Sequence, residues 1–195
     1  LEISHKNGIK TLLVFFDDVW HPMPKLGKQP EPIPHVHNSG WVQSPGAKIL
    51  YDSLSHNKLK SYVKGIIGKF ANDQRVLGWD LYNEPGQKGI SSHNIPKERS
   101  IDLYKKVGIK ITDNNYSEYN LNEIDPKDKK QKYTLSLLKY TVKWAREVNP
   151  SQPLTIGIYE WDIKWDSMNN LSELNQFILN NSDIISFHSY ASKKE

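Results

Sequence analysis

Val76-Leu77-Gly78-Trp79-Asp80-Leu81-Tyr82-Asn83-Glu84-Pro85-Gly86 is an apolar run of strand formers that stops abruptly at an amide and a carboxylate. Pro85 and Gly86 do not continue a ladder, so the strand is expected over 76–82. Asn83 and Glu84 then stand at the mouth of a sheet, where loops begin and ligands sit. A carboxylic acid in such a place, partly desolvated, is what general acid catalysis requires. Asn-Glu-Pro by itself is a common tripeptide, and a Glu at a strand end usually faces water. The longer string and its surroundings are what give it meaning.

Working outward, the same kind of run recurs. Residues 11–16 read as a short buried strand ending in Asp17-Asp18, and 154–158 as another, closed by Tyr159-Glu160-Trp161-Asp162. Residues 183–187 read as a last strand ending in His188-Ser189-Tyr190. Between them lie helical patterns. Leu59, Tyr62, Val63, Ile66, Ile67 and Phe70 follow helical spacing, as do Leu135, Leu138, Val142 and Ala145 within 133–148; Leu171, Leu174, Phe177 and Ile178 mark a short helix. Asn149-Pro150 stops the second of these helices. Residues 19–48 read as a long loop, and 86–132 as an insertion on the same side, with a short helix near 101–107. Strands alternating with helices predict an α/β fold with a parallel sheet. Polar or charged groups recur at the carboxyl end of each strand, the face where a (β/α)8 barrel builds its site. An open doubly wound sheet has the same periodicity, but no Gly-rich phosphate loop follows a strand, so that fold ranks second.

The string ending Trp79-Asp80-Leu81-Tyr82-Asn83-Glu84-Pro85 resembles the strand-four signature of the clan A glycoside hydrolases, and the chain as a whole is similar to their cellulase-like, family 5-type members. His37-Asn38-Ser39-Gly40-Trp41-Val42-Gln43-Ser44-Pro45-Gly46 looks like a cellulase-type subgroup of bacterial, often secreted, β-glycan hydrolases. Phe187-His188-Ser189-Tyr190 is similar to the strand-six His-x-Tyr of that clan. The resemblance spans strands three to six and implies a partial TIM (β/α)8 barrel, made of its four central βα units with a long insertion after strand four. It implies a retaining hydrolase of β-linked glycans with Glu84 as acid/base and Asn83 on the 2-hydroxyl of the sugar being cleaved. It further implies His188 lining the sugar site and Tyr190 hydrogen-bonding the nucleophile, with a secreted or periplasmic location. The other reading of His188 and Tyr190 is a buried pair satisfied by backbone partners.

In that clan the nucleophile is a Glu at the end of strand seven, beyond the four strands matched, so it is expected outside the given sequence. An Arg at the end of strand two and a Trp on strand eight are likewise not matched. Asp17, Asp18 and Glu160 cap neighbouring strands and are expected to hold sugar hydroxyls or to position Glu84; an inverting pair of one of them with Glu84 is the other option. Asp80, four residues before Glu84, is expected to be a core or supporting group. Trp20 and Trp161 are candidate stacking platforms or loop anchors, and so is Trp41.

The 195 residues carry 26 Lys and Arg against 22 Asp and Glu, a net charge of +4. That is enough chain for one core, so a single, incomplete catalytic domain over 1–195 is expected. The basic groups are interleaved with acids, and the dense run at 127–132 reads as solvated surface, so no nucleic-acid partner is expected. Six Trp and ten Tyr suit stacking on sugar rings, and suit a barrel core as well. Without Cys there is no disulfide, thiol catalysis or thiolate metal site. No membrane span is expected, no cofactor, and no metal. His35 and His37, with Asp17, Asp18 and His21 upstream, define the metal-dependent alternative; a non-catalytic carbohydrate-binding barrel fragment is the other. Residues 1–8 read as the end of a helix stopped by Gly8, as in a piece of a larger barrel. A four-strand section exposes edges and an apolar face, so either the missing strands accompany it or it self-associates.

Overall fold

The computed structural model describes residues 1–19, 24, 26–28, 31, 34–35, 41–87, 112, 127–158 and 171–188, the side chains of 127–129 aside. A short helix α1 (Glu2–Lys6) stops at Gly8, whose φ of 71° fits a residue without a side chain; the amides of Gly8 and Ile9 close back on His5 and Ser4. Strand β1 (Thr11–Asp17) follows. After the loop come α2 (Ala47–Leu50), a 3-10 turn (His56–Leu59) and α3 (Lys60–Phe70). Strand β2 (Val76–Asn83), helix α4 (Lys127–Val148), strand β3 (Leu154–Ile158), helix α5 (Glu173–Asn181) and strand β4 (Ser186–Phe187) complete the order.

The four strands form one sheet in the order β1-β2-β3-β4, every pair parallel. Each strand thus pairs with the next in sequence, with helices in between. Helix α3 packs on α4 and α4 on α5, while α4 also meets β2 and α5 meets β3. The helices therefore line one face of the sheet. Trp79 and Leu81 from β2, Leu154 and Ile156 from β3, Val63 and Ile67 from α3, Leu138 and Trp144 from α4, and Ile178 from α5 fill the core between the layers. Trp79 donates its indole N–H to Gln152 at 3.1 Å, and Gln152 donates in turn to the carbonyls of Phe70 and Asp73, both at 2.9 Å. That chain ties the end of α3 and the start of β2 to the entry of β3, and leaves the one polar atom of the indole satisfied.

Several expectations are refined. Helix α4 begins at Lys127, six residues earlier than its apolar stripe marks, and it buries Thr134, Leu137, Thr141 and Trp144 besides Leu135, Leu138, Val142 and Ala145. Lying between two helices and the sheet, it buries a wider face than a surface helix. Asn149 ends it with φ of 55° before Pro150. The last strand is shorter than 183–187, because Asp183 is used otherwise: its carboxylate accepts from the Leu154 amide and from Arg146. The 101–107 helix lies outside the described residues.

Leu12 and Val14 on β1 and Phe187 on β4, with Ile184 and Ile185 before it, are all more than two-fifths exposed. Apart from the isolated bridge between Asp17 and Ser44, neither edge of the sheet is paired among the described residues. No helix among them is long and apolar enough to cross a membrane. Because Ile67 is wholly buried where α3 meets the sheet, Ile67→Ala should lower the unfolding free energy by about 2–5 kcal/mol. Urea denaturation measures this, and a loss below about 1 kcal/mol would contradict the packing.

Candidate functional site

The site starts from how β2 ends. The Glu84 amide still donates to the Gly157 carbonyl of β3 at 3.0 Å, so Glu84 keeps its place in the ladder. Its own φ is 46°, a conformation uncommon for a side-chain-bearing residue, which turns the chain out of the sheet. Gly86 follows at φ 76°, with the Gln131 and Leu174 side chains only 2.8 Å from where a Cβ would stand, so no larger residue fits.

One carboxylate holds this turn. Asp18 is fully buried, and it accepts hydrogen bonds at 2.7 Å from the Tyr82 hydroxyl, the Gly86 amide and the Thr134 hydroxyl. Its backbone carbonyl accepts from the ammonium of Lys130 at 2.8 Å, and the same ammonium reaches the Gln87 carbonyl and, at 3.5 Å, the Gln43 side chain. Strand β1, the turn after β2 and helix α4 are thereby fastened together. Burial and the neighbouring Asp18 hold the Tyr82 hydroxyl well above its ordinary pKa, so it remains a donor.

Glu84 Oε1 meets His188 Nδ1 at 2.5 Å, with the glutamate nearly enclosed and the imidazole about a third exposed. His188 extends the β4 ladder by one bond, its amide donating to Ile158 at 3.1 Å. On the other side Asn83 donates its side-chain N–H to Asp17 at 3.0 Å, and the Val19 amide donates to the second oxygen of Asp17 at 2.7 Å. The site therefore draws on the carboxyl ends of β1, β2 and β4, with β3 as its floor.

That floor is Gly157. A Cβ there would lie 3.3 Å from Asp80 Oδ2, 3.6 Å from His188 Nε2 and 3.7 Å from Asn83 Oδ1. Strict alternation puts residues 80 and 83 on opposite faces. The register explains why they meet: Asp80 pairs with Thr155 and Asn83 with Gly157, three steps on β2 against two on β3. The extra residue of this irregularity reverses the alternation and brings both side chains over Gly157.

Asp17 and Asp80 are both pushed up to about 6, in each case chiefly by burial. For Asp17 the bonds from Val19 and Asn83 oppose the rise, while the Asp18 and Glu84 charges add to it. For Asp80 the amides of Tyr82 and Gly157 and the nearby His188 oppose it, and Asp17 adds to it.

The structure thus gathers Glu84, Asn83, His188 and Asp17 at one place. Asp18 is not presented there: with both oxygens occupied and no exposure, it positions the turn carrying Glu84, one of the two roles expected of it. Asp80, expected to be a supporting group, is indeed buried, but its carboxyl reaches the floor of the site itself. The run at 127–132 is corrected at one position, since Lys130 is 3% exposed and bound inside the turn rather than solvated. Trp20, Glu160, Trp161 and Tyr190 lie outside the described residues. Trp41 is 57% exposed. Among the described residues no group of three or more His, Asp or Glu is placed to hold a metal ion. His35 is exposed with φ 62°, while His21 and His37 lie outside the described set. No protein-family model matches the chain, and no curated protein matches it.

Two outcomes follow from the burial of these acids. Asp18→Ala leaves a hydroxyl of Tyr82, a hydroxyl of Thr134 and the Gly86 amide without their acceptor, at about 1–3 kcal/mol each. Its unfolding free energy should therefore fall by roughly 3 kcal/mol or more, and a near-neutral effect in urea denaturation would refute the role. Asp17 and Asp80 bind protons more tightly folded than unfolded, so their contribution to stability is full below the ordinary 3.8 and is lost as pH rises through about 6. Denaturation between pH 4 and 7 should show a decline that Asp17→Asn and Asp80→Asn each make shallower; equal slopes in all three proteins would contradict it.

Proposed function

We propose that this chain is the central part of a (β/α)8-barrel glycoside hydrolase that cleaves β-linked glycans with retention, using Glu84 as acid/base. The observation that carries the reading is the placement of Glu84. It sits at the carboxyl end of a parallel strand on a left-handed turn, nearly enclosed, and is bonded to His188 from the strand end two places along the sheet. Support also comes from the strictly sequential strand order with helices on one face, which is how consecutive βα units of a barrel are laid down. On this reading β1–β4 correspond to strands three to six of the clan A barrel.

In the first step Glu84 gives its proton to the glycosidic oxygen as that oxygen leaves C1, while a second carboxylate forms a bond to C1. In the second step the Glu84 carboxylate takes a proton from water, the water oxygen bonds to C1, and the second carboxylate departs. A retaining pair stands about 5–5.5 Å apart. The proposal assigns that nucleophile to a strand end other than the four described. Asn83, anchored through its N–H to Asp17, keeps its carbonyl oxygen for the sugar 2-hydroxyl, and His188 fixes the direction of the Glu84 carboxyl group. Glu84→Gln, which cannot supply the proton, should abolish turnover of β-glycans with poor leaving groups in the full-length protein. Unchanged release of reducing sugar would sink the assignment.

A further inference from the structure

We propose that Asp80 is a positioning residue of this site, orienting His188, and through it Glu84, across the bare backbone of Gly157. The inference rests on the reading of Glu84 as the acid/base. Asp80 Oδ1 is fixed by two amides, Tyr82 at 3.1 Å on its own strand and Gly157 at 3.3 Å on the next. The carboxyl plane is thereby locked between β2 and β3. Oδ2 accepts no hydrogen bond among the described residues and points over Gly157.

His188 Nε2 lies against the same patch, and its other ring nitrogen is bonded to Glu84. Glu84 thus takes one nitrogen of the imidazole, while the other nitrogen and Asp80 Oδ2 both border the space over Gly157, close enough for the His188 charge to favour an ionised Asp80. A side chain at position 157 would stand among these groups, which gives the glycine a reason in the middle of an otherwise apolar strand. Which nitrogen of an imidazole carries the proton, and where the ring points, is set by what its two nitrogens face. Asp80 acts on the side of the ring that Glu84 does not reach. Asp17, also near Asp80, is engaged by Asn83 and Val19 instead.

The experiment compares wild type, Asp80→Asn and Gly157→Ala as full chains. Ring nitrogen NMR of His188 is read in each, alongside hydrolysis of glycans with poor and with activated leaving groups. Asp80→Asn keeps the shape but removes the charge, and Gly157→Ala inserts a methyl 3.3 Å from the carboxyl oxygen. Both should move the His188 ring resonances, and both should lower kcat for poor leaving groups by roughly tenfold to a hundredfold with KM little changed. Activated substrates need no proton in the first step, so their kcat/KM, which reports that step, should be spared. Unmoved His188 resonances in folded variants would overturn the inference, as would equal losses of kcat/KM on both substrate types. If Asp80→Asn does not fold, Gly157→Ala decides alone. A wild type that cleaves no glycan defeats the proposed reaction instead, while the ring resonances still decide what Asp80 does.

Discussion

Three donors converge on the buried carboxylate of Asp18, and the rest of the site depends on that convergence. A wholly buried carboxylate is tolerable only when its lone pairs are occupied. Here Tyr82, Gly86 and Thr134 occupy them, and Lys130 holds the adjacent carbonyl. The three donors come from β2, from the turn after it and from helix α4, so one side chain fixes the relation of all three to β1. Tyr82 and Gly86, on either side of Glu84, are thereby tied to β1 and α4, which frames the positive φ of Glu84 between two fixed points. The helix-side core supplies the stability, and Asp18 directs part of it to the strand ends.

Much of this was legible in the sequence, and the boundary has a physical logic. The first three strands, the helices α3, α4 and α5 and the stop after Asn83-Glu84 follow from local periodicity and from what Pro85 and Gly86 forbid, while the start of α4, the length of β4 and the helix α2 do not. The resemblance placed His188 at the same strand-end face as Glu84; that the two side chains bond directly, across β3, came from the structure. Contacts that depend on register were not legible. Alternation separates Asp80 from Asn83, and only the slip against β3 joins them over Gly157. Nothing within β2 announces that slip.

Lys130 departs from its local pattern for the same kind of reason. A lysine in a run of lysines reads as solvated, and it is buried only because three carbonyl-type oxygens from distant segments meet at its ammonium. Asp18 looked like one of two equal acids beside Asp17. Their difference arises from neighbours remote in sequence: Asp17 turns toward Asn83, Asp18 toward Tyr82 and α4. A glycine inside an apolar strand, as at Gly78 and Gly157, is a local sign of close approach.

On the proposed reading, β-linked sugar occupies the strand-end surface built by Asp17, Asp80, Asn83, Glu84, Gly157 and His188. Titrating the isotope-labelled chain with a panel of β-linked oligosaccharides and mapping the backbone amide shifts tests that directly. Saturable shifts centred on Asn83, Glu84, Gly157 and His188 are the result expected. Saturable shifts centred elsewhere, or none with any member of the panel, would contradict it.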